Sequence, residues 1–196
     1  MSFKILITGG ACAGKTEIIK DIKERYEKKC YNVFILKEIP TFLITKGITP
    51  EEIGKEVFIK LVIKTYIHIE NIYNNISQKY NSCLMIYDGS SIDTLKFINK
   101  KIFEEIINKC NTSFNKIINQ YDKIIFLETI AKKEPNLYTT QNNKARLNDI
   151  DKAIERNDTL FQYYKNNCNY IEGTKNIEIK KNKVYEIIEE AITKMI

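Results

Sequence analysis

Apolar residues along this chain recur in two rhythms, and the alternation between them sets the expected architecture. Residues 4–8 (K-I-L-I-T) form a short apolar run stopped by paired glycines, the pattern of a strand buried on both faces of a parallel sheet. The period then lengthens. Ile18, Ile19, Ile22 and Tyr26 recur at helical spacing between charges, which predicts a helix over residues 15–29 opening at the glycines. Further strand-length runs lie at 32–36, 83–87, 123–127 and 169–171. Helical patterning separates them: Phe58, Leu61, Val62, Ile69, Ile72, Tyr73 and Ile76, then Leu95, Ile98, Ile102, Ile106 and Ile117. Val184, Ile187, Ile188, Ala191, Ile192 and Met195 end the chain in the same period.

Five strands alternating with helices predict an α/β fold with a mainly parallel sheet, right-handed crossovers and helices on both faces. Two stretches resist the alternation, 38–50 and 129–148, the second holding Pro135 and a polar T-T-Q-N-N run. Connections of that length in such a fold are functional loops, and 129–148 is read as a lid insertion. No repeat or linker interrupts the pattern, so residues 1–196 are expected to form one domain.

Composition adds little to this picture. A chain with 43% hydrophobic and 29% charged residues is expected to fold. The net charge of +6 comes from 31 basic and 25 acidic residues interleaved without long blocks, a solvated mixed surface; nucleic acid is not expected as a partner. Five cysteines (Cys12, Cys30, Cys83, Cys110, Cys168) form no C-x-x-C pair, which predicts a reducing compartment and no structural zinc. Neither a signal peptide nor a transmembrane segment is evident, making the cytoplasm the expected location.

Chemistry concentrates at the ends of the strand runs. Gly9-Gly10-Ala11-Cys12-Ala13-Gly14-Lys15-Thr16 satisfies G-x-x-x-x-G-K-[ST], between a buried strand and an amphipathic helix as the phosphate-binding loop requires. Glycines let the backbone wrap a phosphate, and successive N–H groups at a helix N-terminus supply positive potential. Lys15 is then expected on the outer phosphates of ATP or GTP and Thr16 on magnesium. Glu38, ending the second strand run, is either a general base facing an acceptor or a carboxylate paired locally. Asp88, ending the third, is placed to hold magnesium directly or through water; Asp93 serves the site or caps a helix. Arg146 and Arg156 stand in or just after the polar insertion, where a guanidinium fork suits phosphoryl oxygens; surface ion pairing is the alternative. His68 has no partner at catalytic spacing and reads as filler. Cys12 is a small loop residue, or a thiol acidified by the helix end.

Over nearly its full length the chain resembles the NadR-like P-loop ATPase and kinase domain family, of AAA type, which includes ribosylnicotinamide kinase domains and TRPL translocation-defect proteins. The matching residues are Ile7 to Thr16, E-I-P-T-F-L-I-T-K-G over 38–47, Phe58 with Glu70, Asp88 with Asp93, and Y-T-T-Q-N-N-K-A-R over 138–146. The resemblance implies a three-layer nucleotide-kinase-like fold, magnesium with ATP or GTP, and an arginine-bearing lid. Departures bear on acceptor recognition and catalysis. Where the family usually has Asp-Arg-Gly, this chain has Asp88-Gly89-Ser90; the common Phe-Gln is Phe58-Ile59, a later glutamine is Tyr66, and an expected acid is Asn148.

Two functions are therefore expected. One is a phosphotransferase for a nucleoside-like small molecule, with Lys15, Glu38 and Arg146 catalytic, Arg156 joining Arg146 and the loop on the nucleotide, and Thr16 and Asp88 on magnesium. The other is a GTP-binding trafficking module with little turnover that binds a phosphoinositide or a protein. Lys180, Lys181 and Lys183 are candidates for a basic pocket or a solvated helix start.

Overall fold

The computed structural model describes residues 2–80, 82–139 and 149–193. Strand β1 (Ser2–Gly9) leads into α1 (Lys15–Glu27) and β2 (Asn32–Leu36). Helices α2 (Ile39–Thr45), α3 (Pro50–Ile53) and α4 (Lys55–Ser77) precede β3 (Cys83–Asp88). Then come α5 (Lys100–Asn108), α6 (Phe114–Asn119), β4 (Lys123–Leu127), α7 (Ile150–Tyr164), β5 (Asn169–Ile171) and α8 (Ile177–Thr193).

All five strands lie in one parallel sheet of order β2-β3-β1-β4-β5, with β1 at its centre. Because side chains alternate along a strand, the apolar runs divide between two faces. Leu6, Met85, Tyr87 and Phe126 meet residues of α2, α4, α5, α6 and α7 on one side. On the other, Ile5, Ile7, Leu84, Ile86, Ile125 and Leu127 meet Ile18 and Ile22 of α1 and Val184 and Ile188 of α8. Each such side chain, once buried, stabilises the fold by about 1.5–3 kcal/mol. This is the α/β layering that the alternation predicts.

Two segments depart from the expected pattern. Residues 38–50, expected as a loop, contain α2 and lead into α3. Pro40 sits in the first turn of α2, where its missing N–H has no helical partner to lose. Thr49 caps α3 by accepting from the Glu52 amide at 3.3 Å. Between β3 and β4 the helical period is cut into a 3-10 turn over Ser91–Lys96, α5 and α6. Asn99 Oδ1 accepts from the Ile102 amide at 2.9 Å and Ser113 Oγ from that of Lys116 at 3.3 Å, so each helix starts at its own cap.

One core position of α4 is a carboxylate. Glu70 is 2% exposed and accepts from Tyr121 Oη at 2.8 Å and Gln120 Nε2 at 2.9 Å, tying α4 to the chain following α6. Burial pushes its pKa up to about 7, partly offset by those two donors. A folded pKa above the unfolded one means that the native state binds more protons in between. Stability from this group is therefore full below the ordinary glutamate range and lost as pH rises toward 7. Glu70→Gln is expected to flatten that pH dependence and to raise unfolding free energy at pH 8 relative to pH 5 by about 1–3 kcal/mol, measured by urea titration at both pH values.

Candidate functional site

The phosphate loop begins where β1 runs out beside β4. Gly9 pairs with Leu127 and has φ +135°; a Cβ there would lie 1.9 Å from the Leu127 carbonyl oxygen. That same oxygen accepts from the Gly10 amide at 3.2 Å. The backbone then passes through left-handed conformations at Cys12 (φ 54°) and Gly14 (φ 90°) and enters α1 at Lys15.

Side chains from outside the loop hold its carbonyls. Thr129 Oγ1, just beyond β4, donates to Ala11 O at 2.6 Å. Asn157 of α7 accepts from the Thr129 amide at 3.0 Å, and its Oδ1 would be 2.6 Å from a Cβ on Gly10. Lys180 of α8 donates to Ala13 O at 2.9 Å while only 1% exposed. Burial lowers its pKa, with Glu128 acting the other way. Cys12 Sγ donates to Thr139 O at 3.1 Å, and Lys15 Nζ donates to Gly9 O and Gly10 O at 3.3 and 3.1 Å.

A cavity of about 730 Å³ opens over this loop, at the carboxyl ends of the parallel strands where ligands of open α/β sheets bind. Gly9 to Thr16, Glu38, Asp88 and Arg156 all line it, so sequence-predicted residues from four separate segments converge. Arg146 lies outside the described residues. Glu38 accepts from Thr41 Oγ1 at 2.7 Å, a local hydrogen bond that leaves it on the cavity wall. Arg156 places its guanidinium carbon 4.7 Å from the Phe97 ring centroid. His68 is exposed on α4 and does not line the cavity.

Asp88 has a buried Oδ1 with no hydrogen-bond partner among the described residues. Burial pushes its pKa up to about 6, with Lys15 opposing and Glu38 and Asp93 adding to the rise. An orphaned carboxylate oxygen in the same cavity as the Thr16 hydroxyl suits a hard divalent cation, and the residues present fit magnesium.

Asp93 does not cap a helix. The 3-10 turn is capped by Ser90, whose Oγ accepts from the Ile92 amide at 3.1 Å. The Asp93 carboxylate instead accepts from Thr8 Oγ1 at 2.9 Å and Tyr164 Oη at 2.7 Å, joining β1, the turn and α7. Tyr66 is 1% exposed. Its hydroxyl accepts from the Ile39 amide at 3.2 Å and donates to Asp88 O at 3.4 Å, bracing α2 against the end of β3.

The lysine cluster near the chain end is neither a solvated start nor an open basic pocket at two of its positions. Lys180 is buried under the loop, and Lys181 pairs with Glu17, Asp21 and Glu178 at 3.5, 3.5 and 2.9 Å. Sequence reading missed Thr129, Asn157 and Lys180 as loop supports. Only Thr129 carries a sequence signal, standing two residues past a strand's end.

No helix among the described residues is long and apolar enough to cross a membrane. The family model described as AAA domain matches residues 4–180. A crystal structure of thymidylate kinase from Ehrlichia chaffeensis superposes with a TM-score of 0.65 at 14% identity, covering 95% of this chain and 98% of that one. Such a likeness speaks to the fold, which is that of a P-loop nucleotide kinase. No curated protein matches the sequence.

The loop geometry makes a contrast between two glycines. Gly9→Ala combines a strained backbone with a clash against the Leu127 carbonyl and is expected to destabilise by at least about 3 kcal/mol. Gly47→Ala, at φ +84° but facing open space, is expected to cost only about 1 kcal/mol. Urea unfolding of the two variants checks the difference.

Proposed function

This chain belongs to the AAA-domain family, and on that premise we propose that it binds magnesium with ATP or GTP and transfers the terminal phosphoryl group to a small acceptor. One observation carries the reading: the complete phosphate loop shares a single cavity with Glu38 and with the orphaned carboxylate of Asp88. The loop amides and Lys15 bind the donor phosphates, and Thr16 with Asp88 holds magnesium. When bound, magnesium neutralises charge on the β- and γ-phosphates.

Glu38 takes the proton of an acceptor hydroxyl as that oxygen bonds to the γ-phosphorus. The bond to the bridging oxygen breaks and its electron pair leaves with the nucleoside diphosphate. Arg146 is assigned to the charge spread over the transferring group. The E-I-P-T-F-L-I-T-K-G segment supplies both Glu38 and the α2 wall, although its sequence is more similar to the translocation-defect branch than to the nucleoside-directed one. The trafficking-module alternative draws less support, because Lys180 and Lys181 are engaged within the protein.

Lys15→Ala is expected to weaken magnesium-nucleotide binding by about 100-fold or more while leaving thermal unfolding unchanged. Calorimetric titration with ATP and with GTP reads this directly, and undiminished affinity in the variant would contradict the central claim. Diphosphate release that depends on an added nucleoside-like acceptor identifies a kinase. Tight binding with slow, acceptor-independent turnover favours the module.

A further inference from the structure

At the cavity wall formed by the 3-10 turn and α7, two cations share one aromatic ring. Lys96 Nζ lies 5.3 Å and Arg156 Cζ 4.7 Å from the centroid of Phe97, and all three residues line the cavity. Other cations nearby are engaged. Lys15 donates to two loop carbonyls, Lys132 pairs with Glu128 and Asp158, and Lys180 donates to Ala13. Lys96 and Arg156, by contrast, make no ion pair or hydrogen bond with any of the described residues.

The nearest acids, Asp93 and Glu38, offset part of this charge electrostatically without forming an ion pair with either cation. Both Asp93 oxygens accept from Thr8 Oγ1, and one also accepts from Tyr164 Oη, so that carboxylate is held by hydroxyls. Glu38 is within electrostatic reach of Lys96 but is hydrogen-bonded to Thr41. A cation–π contact favours a cation over the ring without neutralising it, and a half-buried pair of like charges repels. Burial lowers the Lys96 pKa, Asp93 and Glu38 act against that, and Lys15 and Arg156 add to the lowering. A dianion that binds both groups relieves both costs, and a guanidinium fork together with an ammonium suits the oxygens of a phosphate monoester.

We propose that Lys96 and Arg156 form a subsite for an anionic group on the acceptor, which is therefore a hydroxylated small molecule already carrying a phosphate monoester. This rests on the phosphotransferase reading above and narrows its substrate class from neutral nucleosides to phosphorylated ones. The subsite is built from the turn after β3 and from α7, apart from the phosphate loop that holds the donor.

The test is calorimetric binding of nucleoside 5′-monophosphates and their parent nucleosides to protein preloaded with magnesium and a non-hydrolysable ATP or GTP analogue. Preloading keeps the monophosphate off the donor loop. At least one monophosphate is expected to bind about tenfold or more tightly than its nucleoside. Lys96→Met and Lys96→Gln are each expected to erase that margin with donor affinity and thermal unfolding unchanged; Arg156→Gln is expected to erase it too. Equal affinity for nucleoside and monophosphate, no binding of either, or a margin that survives both Lys96 variants overturns the inference. If neither donor analogue binds wild-type protein, the phosphate-loop reading itself fails and the subsite falls with it.

Discussion

The space beside Gly9 governs the site. β1 and β4 pair so closely at their carboxyl ends that the Leu127 carbonyl occupies the volume any side chain at position 9 would need. Because it is there, it accepts the Gly10 amide and turns the chain out of the sheet. The left-handed residues Cys12 and Gly14 then close the loop onto α1. Ala11 O and Ala13 O are satisfied by Thr129 and Lys180, groups outside the loop. With acceptors engaged on the protein side, the loop's amides are the groups left to meet an anion.

This arrangement explains why a lysine is tolerated in the core. Lys180 carries an ammonium into a place 1% exposed, and desolvation works against its charge. Ala13 O and the Glu128 carboxylate offset part of that cost. The charge sits beneath a loop whose task is to attract phosphates, so a feature unfavourable for folding adds to the potential at the site. The same logic applies across the cavity. Burial pushes the Asp88 pKa up, and in the function proposed above a divalent cation would supply what its Oδ1 lacks among the described residues.

Strand and helix positions were legible because burial imposes period. The apolar runs at 32–36, 123–127 and 169–171 are strands with those bounds, and 4–8 lies within β1. The phosphate loop was legible because its chemistry demands particular residues at fixed spacing. Segment 38–50 was misread because Pro40 signals a break in sequence yet is compatible with a helix's first turn. Asn157 and Lys180 left no pattern, since each supports the loop through a hydrogen bond to a residue more than twenty positions away, and Thr129 was marked only by its place just past β4. Asp88 and Glu38 were reachable only through topology: parallel strands put their carboxyl ends on one edge, and a charged residue ending such a strand faces the ligand.

Topology also changes the meaning of the Asp88-Gly89-Ser90 departure. Position 89 has φ +80°, and a Cβ added there would lie 2.9 Å from Asp93 Oδ2 and 3.0 Å from Tyr66 Oη. A side chain at this position therefore meets a strained backbone and crowds the two groups that brace α2 and β1 against the end of β3. With glycine at this position, Asp93 accepts from Thr8 and Tyr66 donates to the Asp88 carbonyl. Positive charge is still present at this wall, carried by Lys96 at the end of the same turn and by Arg156 on α7. In the acceptor site proposed above, the cations stand on the turn and helix beyond the strand end.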